Sequence, residues 1–401
     1  MALKYLYVPS GYRGGGSSGT AYGVLPNVAN ADLSLVRGSS ATRINSDGLI
    51  ESMDTNTPRL DYTDGSCPTL LTEPASTNLL HNSGWEGGGA LPTDWSYGNS
   101  DGTSTPVTST RGTIINAYRF ESDSARHYFT RSTTSVSGTT YTLSIYVESI
   151  TGSNQFNDVF YRIGGGGTDV FKKDGVVVTQ SETVVAGSFY SITFTSDAVE
   201  SIQFRVGLGV ISSVTGDVTI SQPQLETLDY RTSFMISAEG AIATRSADTG
   251  VVSGDLSSYI NSSEGVLEIK AKSIVSNPTQ DLRITLSDGT ADNRISLVWA
   301  TGSSTMNIVM DANGSDVFDG GTSGFKNLTG SFTKTNMNTF KIKWKSGDIQ
   351  VKHNDSTIVL SETDAFTMLG LDRLSFDNAT GVRNFEGNIQ YIKVYDSATD
   401  F

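Results

Sequence analysis

Cysteine is nearly missing from this chain of 401 residues: Cys67 stands alone, so no internal disulfide can form. With only His81, His127 and His353 beside it, no Cys/His cluster of metal-ligand spacing is available either. Rigidity has to come from packing or from association with other chains. Charge is also scarce, at 17% of residues, and 28 Lys and Arg stand against 42 Asp and Glu for a net −14. No basic run forms a stripe that could neutralise phosphates, which argues against nucleic acid as a partner. Long apolar runs are missing as well. No segment approaches the roughly 20 apolar residues that span a bilayer, and Met1 to Pro9 holds one charge and no stretch of signal-peptide length, so the expectation is a soluble protein made in a cytoplasm and not inserted in a membrane. Helical periodicity is absent too, since no stretch beyond about ten residues keeps apolar positions at helical spacing.

What is present is the vocabulary of strands. There are 42 glycines, Ser and Thr crowd every segment, and hydrophobic residues make up 37%, the balance of short strands closed by small-residue turns. At about 100–200 residues per domain, the length suits two sandwiches and an extension. Tyr141-Thr-Leu-Ser-Ile-Tyr-Val147, Tyr190-Ser-Ile-Thr-Phe194, Ile202-Gln-Phe-Arg-Val206 and Val218-Thr-Ile-Ser-Gln222 alternate with period two, and so do Gly265-Val-Leu-Glu-Ile-Lys270, Leu282-Arg-Ile-Thr-Leu286, Thr339-Phe-Lys-Ile-Lys-Trp344 and Gly387-Asn-Ile-Gln-Tyr-Ile-Lys-Val-Tyr395. The predicted fold class is all-β: an extended N-terminal arm over 1–35, a connector of hairpins and loops over 36–78, and two antiparallel β-sandwich (jelly-roll) domains over 79–232 and 233–401. The arm rests on Ser10-Gly11-Tyr12-Arg13-Gly14-Gly15-Gly16-Ser17-Ser18-Gly19, which has too little apolar surface for a core of its own.

Near the domain boundaries, Arg59 with Asp61 and Arg245 with Asp248 place opposite charges close in sequence beside apolar positions. That pattern predicts ion pairs fixing one module against the next, a structural junction and not an active site. Asn78 and Gln224 are expected to satisfy backbone groups where the chain enters and leaves the first sandwich.

Stretches around these positions resemble an arrangement found in phage tail- and head-fibre proteins. They are Ala31-Asp-Leu-Ser-Leu-Val-Arg37, Ala41-Thr-Arg-Ile-Asn-Ser-Asp-Gly-Leu-Ile50, Pro58-Arg59-Leu60-Asp61-Tyr62 and Leu70-Leu71-Thr72-Glu73-Pro74, then Pro223-Gln224-Leu225-Glu226, Tyr230-Arg-Thr-Ser-Phe234 and Ala243-Thr-Arg-Ser-Ala-Asp248. Between them lies a module similar to the jelly rolls of carbohydrate-binding proteins, and after them one similar to laminin-G and concanavalin-like sandwiches. The resemblance implies a bacteriophage virion protein, a fibre, spike or capsid decoration, whose arm docks on the particle and which attaches to a host surface or its glycans. It further implies a homotrimer and contacts with other capsid or tail proteins.

A glycan-cleaving depolymerase is the rival reading. Such catalysis needs two carboxylates about 5–10 Å apart across the scissile bond, yet the acids here are scattered: Glu268 is followed by Lys270, and Glu362 and Asp364 border a turn. Saccharide binding needs only an exposed aromatic face and a few polar groups. Trp85, Trp95 and Tyr97 lie in a loop-rich stretch and His127 and Tyr128 form a second candidate, with the alternative that the tryptophans plug the end of a sandwich. Trp299 and Trp344 alternate with apolar neighbours and belong in a core. No cofactor is expected. By the laminin-G resemblance, Asp288, Asp311 and Asp316 could hold a structural calcium, although turn aspartates more often bond their own backbone.

Overall fold

The computed structural model describes residues 3–7, 20–22, 33–302, 304–318 and 324–401. Strand accounts for 49% of the chain and helix for 2%, an all-β protein of antiparallel sheets, as the period-two patterns require. Among the described residues, helix is confined to single turns at Phe156–Val159 and Ala398–Asp400.

In the first sandwich a seven-stranded sheet runs in the order Thr103–Thr108, Asn116–Ala125, Val214–Glu226, Thr140–Thr151, Ser188–Thr195, Val170–Lys173, Val176–Val178. It faces a four-stranded sheet of Phe160–Ile163, Ser201–Leu208, His127–Thr134 and Ser96–Ser100. Alternate residues of both sheets point inward to one core, with Leu143, Ile145, Tyr190, Ile192, Phe194 and Val218 from one and Phe129, Ile202, Phe204 and Val206 from the other. The other face of the seven-stranded sheet carries Thr142, Ser144, Tyr146, Phe189 and Ser191, and it is this face that borders the rest of the molecule.

The second sandwich packs a nine-stranded sheet, built on Gly387–Tyr395, Glu264–Ser273, Asn338–Lys345 and Ile349–His353, on an eight-stranded sheet built on Met306–Ala312, Arg294–Trp299 and Leu282–Ser287. Trp299 and Trp344 are buried in its core.

The N-terminal segment departs from the expectation of an arm. Leu3–Tyr7 pairs antiparallel with Gly387–Tyr395 and parallel with Thr20–Tyr22, while Leu33–Val36 pairs with Thr249–Ser253. Tyr7, Leu33 and Leu35 join the second core. The physical reason is the alternation Leu33, Ser34, Leu35, Val36, which turns both leucines inward and closes a sheet edge that would otherwise expose unpaired backbone. The Gly/Ser-rich stretch over 10–19 lies outside the described residues. In the connector, Ala41–Ile44 forms a hairpin with Ile50–Met53, and Arg59–Asp61 forms one with Thr69–Thr72 that extends the nine-stranded sheet along Gly387–Tyr395. Ser76–Asn78 pairs with Ala243–Arg245. The chain thus crosses the boundary between sandwiches twice, and the two crossings are hydrogen-bonded to each other.

Candidate functional site

The loop aromatics are buried. Trp85, Trp95, His127 and Tyr128 are 0%, 5%, 2% and 3% exposed, so their faces cannot stack on a sugar. Trp85 sits edge-on to Trp95, Tyr118 and Phe129 at 5.6, 5.4 and 6.2 Å between centroids. Asn82, held in left-handed backbone, ties the loop down by donating to the carbonyls of Glu86 and Thr93 at 3.0 and 2.9 Å, and its own carbonyl accepts from Trp95 Nε1 at 3.1 Å. The stretch plugs the end of the first sandwich. Burial lowers the pKa of His127, which is packed against Phe120 and Tyr97. Tyr97, at 39% exposed, is the outward member, but its hydroxyl is spent on the Ala90 carbonyl at 3.0 Å and its ring leans on His127 and Phe129.

The three aspartates suggested for calcium do not converge. Asp288 accepts from Thr290 N, Thr290 Oγ1 and Asn293 Nδ2 at 2.9, 2.6 and 2.9 Å, closing its own turn. Asp311 accepts from Arg294 Nε at 2.5 Å and shares a hydrogen bond with Asp316, its cross-strand partner. Burial, with that neighbour, pushes Asp311 up to about 6. Among the described residues no group of three or more His, Cys, Asp or Glu is arranged to hold a metal.

At the junction the charges named from sequence are buried, with partners that sequence proximity misassigns. Among the described residues Asp61 bonds no arginine: its oxygens accept from the backbone of Ile44 and Thr63, each at 2.9 Å, fixing the hairpin. Arg59 instead spans Glu73 at 2.6 Å and Asp248, while Arg245 reaches Glu73 at 3.0 Å and Arg37 reaches Asp248 at 2.9 Å. Arg37 and Glu73 escaped the sequence reading because their partners lie up to 211 residues away. The linker joins through Ser233, whose amide and hydroxyl donate to Glu73 at 2.7 and 2.6 Å. Spare guanidinium protons go to carbonyls of Ser39, Asp54, Thr57 and Pro74. Burial alone would raise the pKa of Glu73, but the charges of Arg245 and Arg59 and the Ser233 hydroxyl outweigh it and hold the carboxyl down at about 2. Such a desolvated cluster, bonded at every carboxylate although the buried Nε atoms of Arg59 and Arg245 have no partner, locks its elements in one arrangement.

Beside this lock the sandwiches leave a groove of about 520 Å³, floored by Phe189 and Ser191 of the first and walled by 272–277 of the second. That volume falls within the roughly 300–1,000 Å³ of small-molecule sites. A second pocket of about 180 Å³ shares Phe189 and Arg231 with the groove and is lined also by Gln222 and Phe234. Lys272 and Asp64 pair in its lining at 2.6 Å. Arg231 lies over the Phe189 ring, 3.5 Å from the centroid, and burial pulls its pKa down to about 10. No motif marks either feature; the cue available in sequence was Tyr230-Arg231 in a linker flanked by strands.

No family model and no curated protein matches the chain. Among solved structures it is similar to the Ruminococcus gnavus IT-sialidase CBM40, at 17% identity over 33% of this chain and 76% of that one, with a TM-score of 0.26. The same module bound to α2,3 sialyllactose matches at 17% identity over 34% and 76%, with a TM-score of 0.26. Bound to α2,6 sialyllactose it matches at 16% over 34% and 77%, with a TM-score of 0.25. Likeness this slight, confined to a third of the chain, carries no argument about function.

Proposed function

We propose that this protein is a non-catalytic attachment protein that binds saccharide in the groove between its sandwiches and is carried on a bacteriophage particle as a fibre, spike or capsid decoration. The observation that carries the binding reading is the groove itself, where the Phe189 ring lies among polar side chains such as Ser191, Ser276 and Asn336. Binding in a preformed cleft avoids the ordering cost that a mobile interface would add. Placement on a virion rests on the resemblance in the connector and linker sequences.

The rival reading, cleavage, gains little from the paired acids. Asp311 and Asp316 are in hydrogen-bond contact, which leaves no room for a glycosidic bond between them. Incubation with host surface polysaccharides, followed by assays of retention and of new reducing ends, separates the two. Retention without new ends is expected; no retention on any polysaccharide defeats the binding reading, and new ends that disappear on replacing one acid establish an enzyme. Mass spectrometry of purified particles tests the location, and absence of the chain from virions defeats it.

A further inference from the structure

The pocket that adjoins the groove contains polar groups that the fold itself does not use. Gln222 is 2% exposed, yet neither its Oε1 nor its Nε2 has a hydrogen-bond partner. It occupies a bulge where the strand Val214–Glu226 has an extra residue against Thr140–Thr151, and its φ of 57° puts a non-glycine side chain in left-handed backbone. The hydroxyls of Ser144 and Ser221, on the same ladder, are likewise buried and without partners. Arg231 lines the same pocket, and among the described residues it makes no hydrogen bond or ion pair, only its contact with the Phe189 ring. A buried amide left unbonded costs about 1–3 kcal/mol, and strain of this kind persists where surrounding structure enforces it, often at ligand sites.

Resting on the saccharide-binding reading above, we infer that the Arg231 guanidinium and the Gln222 amide form the subsite for a carboxylate of an acidic sugar, whose ring lies in the groove. A planar carboxylate accepts two parallel bonds from one guanidinium fork, and the Gln222 Nε2 donates a further one. The Phe189 ring lies against the guanidinium, 3.5 Å from centroid to Cζ, and supports it by cation–π attraction. Ser191, Ser276 and Asn336 line the groove for the ring hydroxyls. Carboxylates of the protein do not fill the role. Glu226, Glu73 and Asp61 act on Arg231 through space, but Glu226 is bonded to Ser76, Gln224 and Thr232, Glu73 to the junction, and Asp61 to backbone. The same three acids disfavour phosphate, whose charge approaches −2.

The test uses the full chain, labelled with nitrogen-15, titrated separately with glucuronate, acetate and methyl glucoside while the Arg231 Nε–H and Gln222 side-chain amide resonances are followed. Both should move with glucuronate and acetate and stay still with methyl glucoside, and glucuronate should saturate at a concentration at least about tenfold lower than acetate. Arg231→Gln should abolish the response; Arg231→Lys, which keeps charge without the fork, should weaken glucuronate binding about tenfold or more. Gln222→Gly, suited to the left-handed backbone, should weaken it while keeping the fold. Silence toward both acids overturns the inference. Equal affinity for acetate and glucuronate, an adventitious ion only, overturns the assignment to a sugar. If neutral polysaccharide is retained equally by the parent and Arg231→Gln, the carboxylate subsite fails while the saccharide reading stands; if no saccharide is retained, that reading itself fails.

Discussion

Glu73 is the hub of the junction, and replacing it with Gln removes one negative charge without removing volume. Arg37 and Arg59 then keep Asp248 as an ion-pair partner, Arg245 loses the carboxylate it pairs with, and Ser233 loses a charged acceptor. Breaking a buried pair in this way costs about 3–5 kcal/mol, because the surviving charges stay buried. Titration leads to the same size by another route. The Glu73 carboxyl falls from an ordinary 4.5 to about 2 in the folded chain, and that gap of about 2.5, at about 1.4 kcal/mol for each, is worth about 3 kcal/mol. A depressed carboxylate pKa stabilises fully above the unfolded value and is lost as pH falls through the folded one. The difference in stability between parent and Glu73→Gln should therefore be about 3–5 kcal/mol at pH 7, begin to shrink below pH 4.5, and close near pH 2. Urea unfolding followed by tryptophan fluorescence measures it, with Trp85 and Trp95 reporting the first sandwich and Trp299 and Trp344 the second. At neutral pH the variant should also separate one transition into two and expose 227–250 to protease. A difference below about 1 kcal/mol at pH 7, or one that does not narrow in acid, would refute the account of the lock.

Trp85→Ala should destabilise the first sandwich by about 3–5 kcal/mol in urea unfolding and leave saccharide retention per folded molecule unchanged, since the ring is core. Glu386 is pushed up to about 7 by burial and then by the charge of Glu73. Its ionisation thus opposes folding above pH 7 and stops doing so below about 4.5, so Glu386→Gln should add about 1–3 kcal/mol at pH 8 and nothing at pH 4, read from the same unfolding curves. Multi-angle light scattering should find a homotrimer of the 42.7 kDa chain; a monomer across a wide concentration range would remove that part of the proposal.

The sandwiches were legible because a half-buried strand repeats every two residues. In Tyr141-Thr-Leu-Ser-Ile-Tyr-Val147, Leu143 and Ile145 turn into the sandwich core and Ser144 to the opposite face, a rule that needs no knowledge of partners, although here the rest of the molecule buries that second face as well. Leu33 and Leu35 obeyed the same rule, but four residues beside a glycine-rich stretch gave too little signal to separate an edge strand from an arm. The junction was half legible: Arg59, Arg245 and Asp248 stood out as charges among apolar neighbours. Their partners did not, because Arg59 meets Asp248 across 189 residues and only the paired crossings of the boundary bring them together. The loop tryptophans show the opposite limit. The loop-rich stretch around Trp85 and Trp95 left both a sugar-stacking face and a plug at the sandwich end open, and Asn82 in left-handed backbone decides for the plug by folding that loop onto the core. Gln222 lies furthest from view. In sequence it ends an alternating strand, and a slip of one residue against Thr140–Thr151 leaves its amide sealed from water with no partner. The slip thereby places Gln222 in the lining of the same pocket as Arg231.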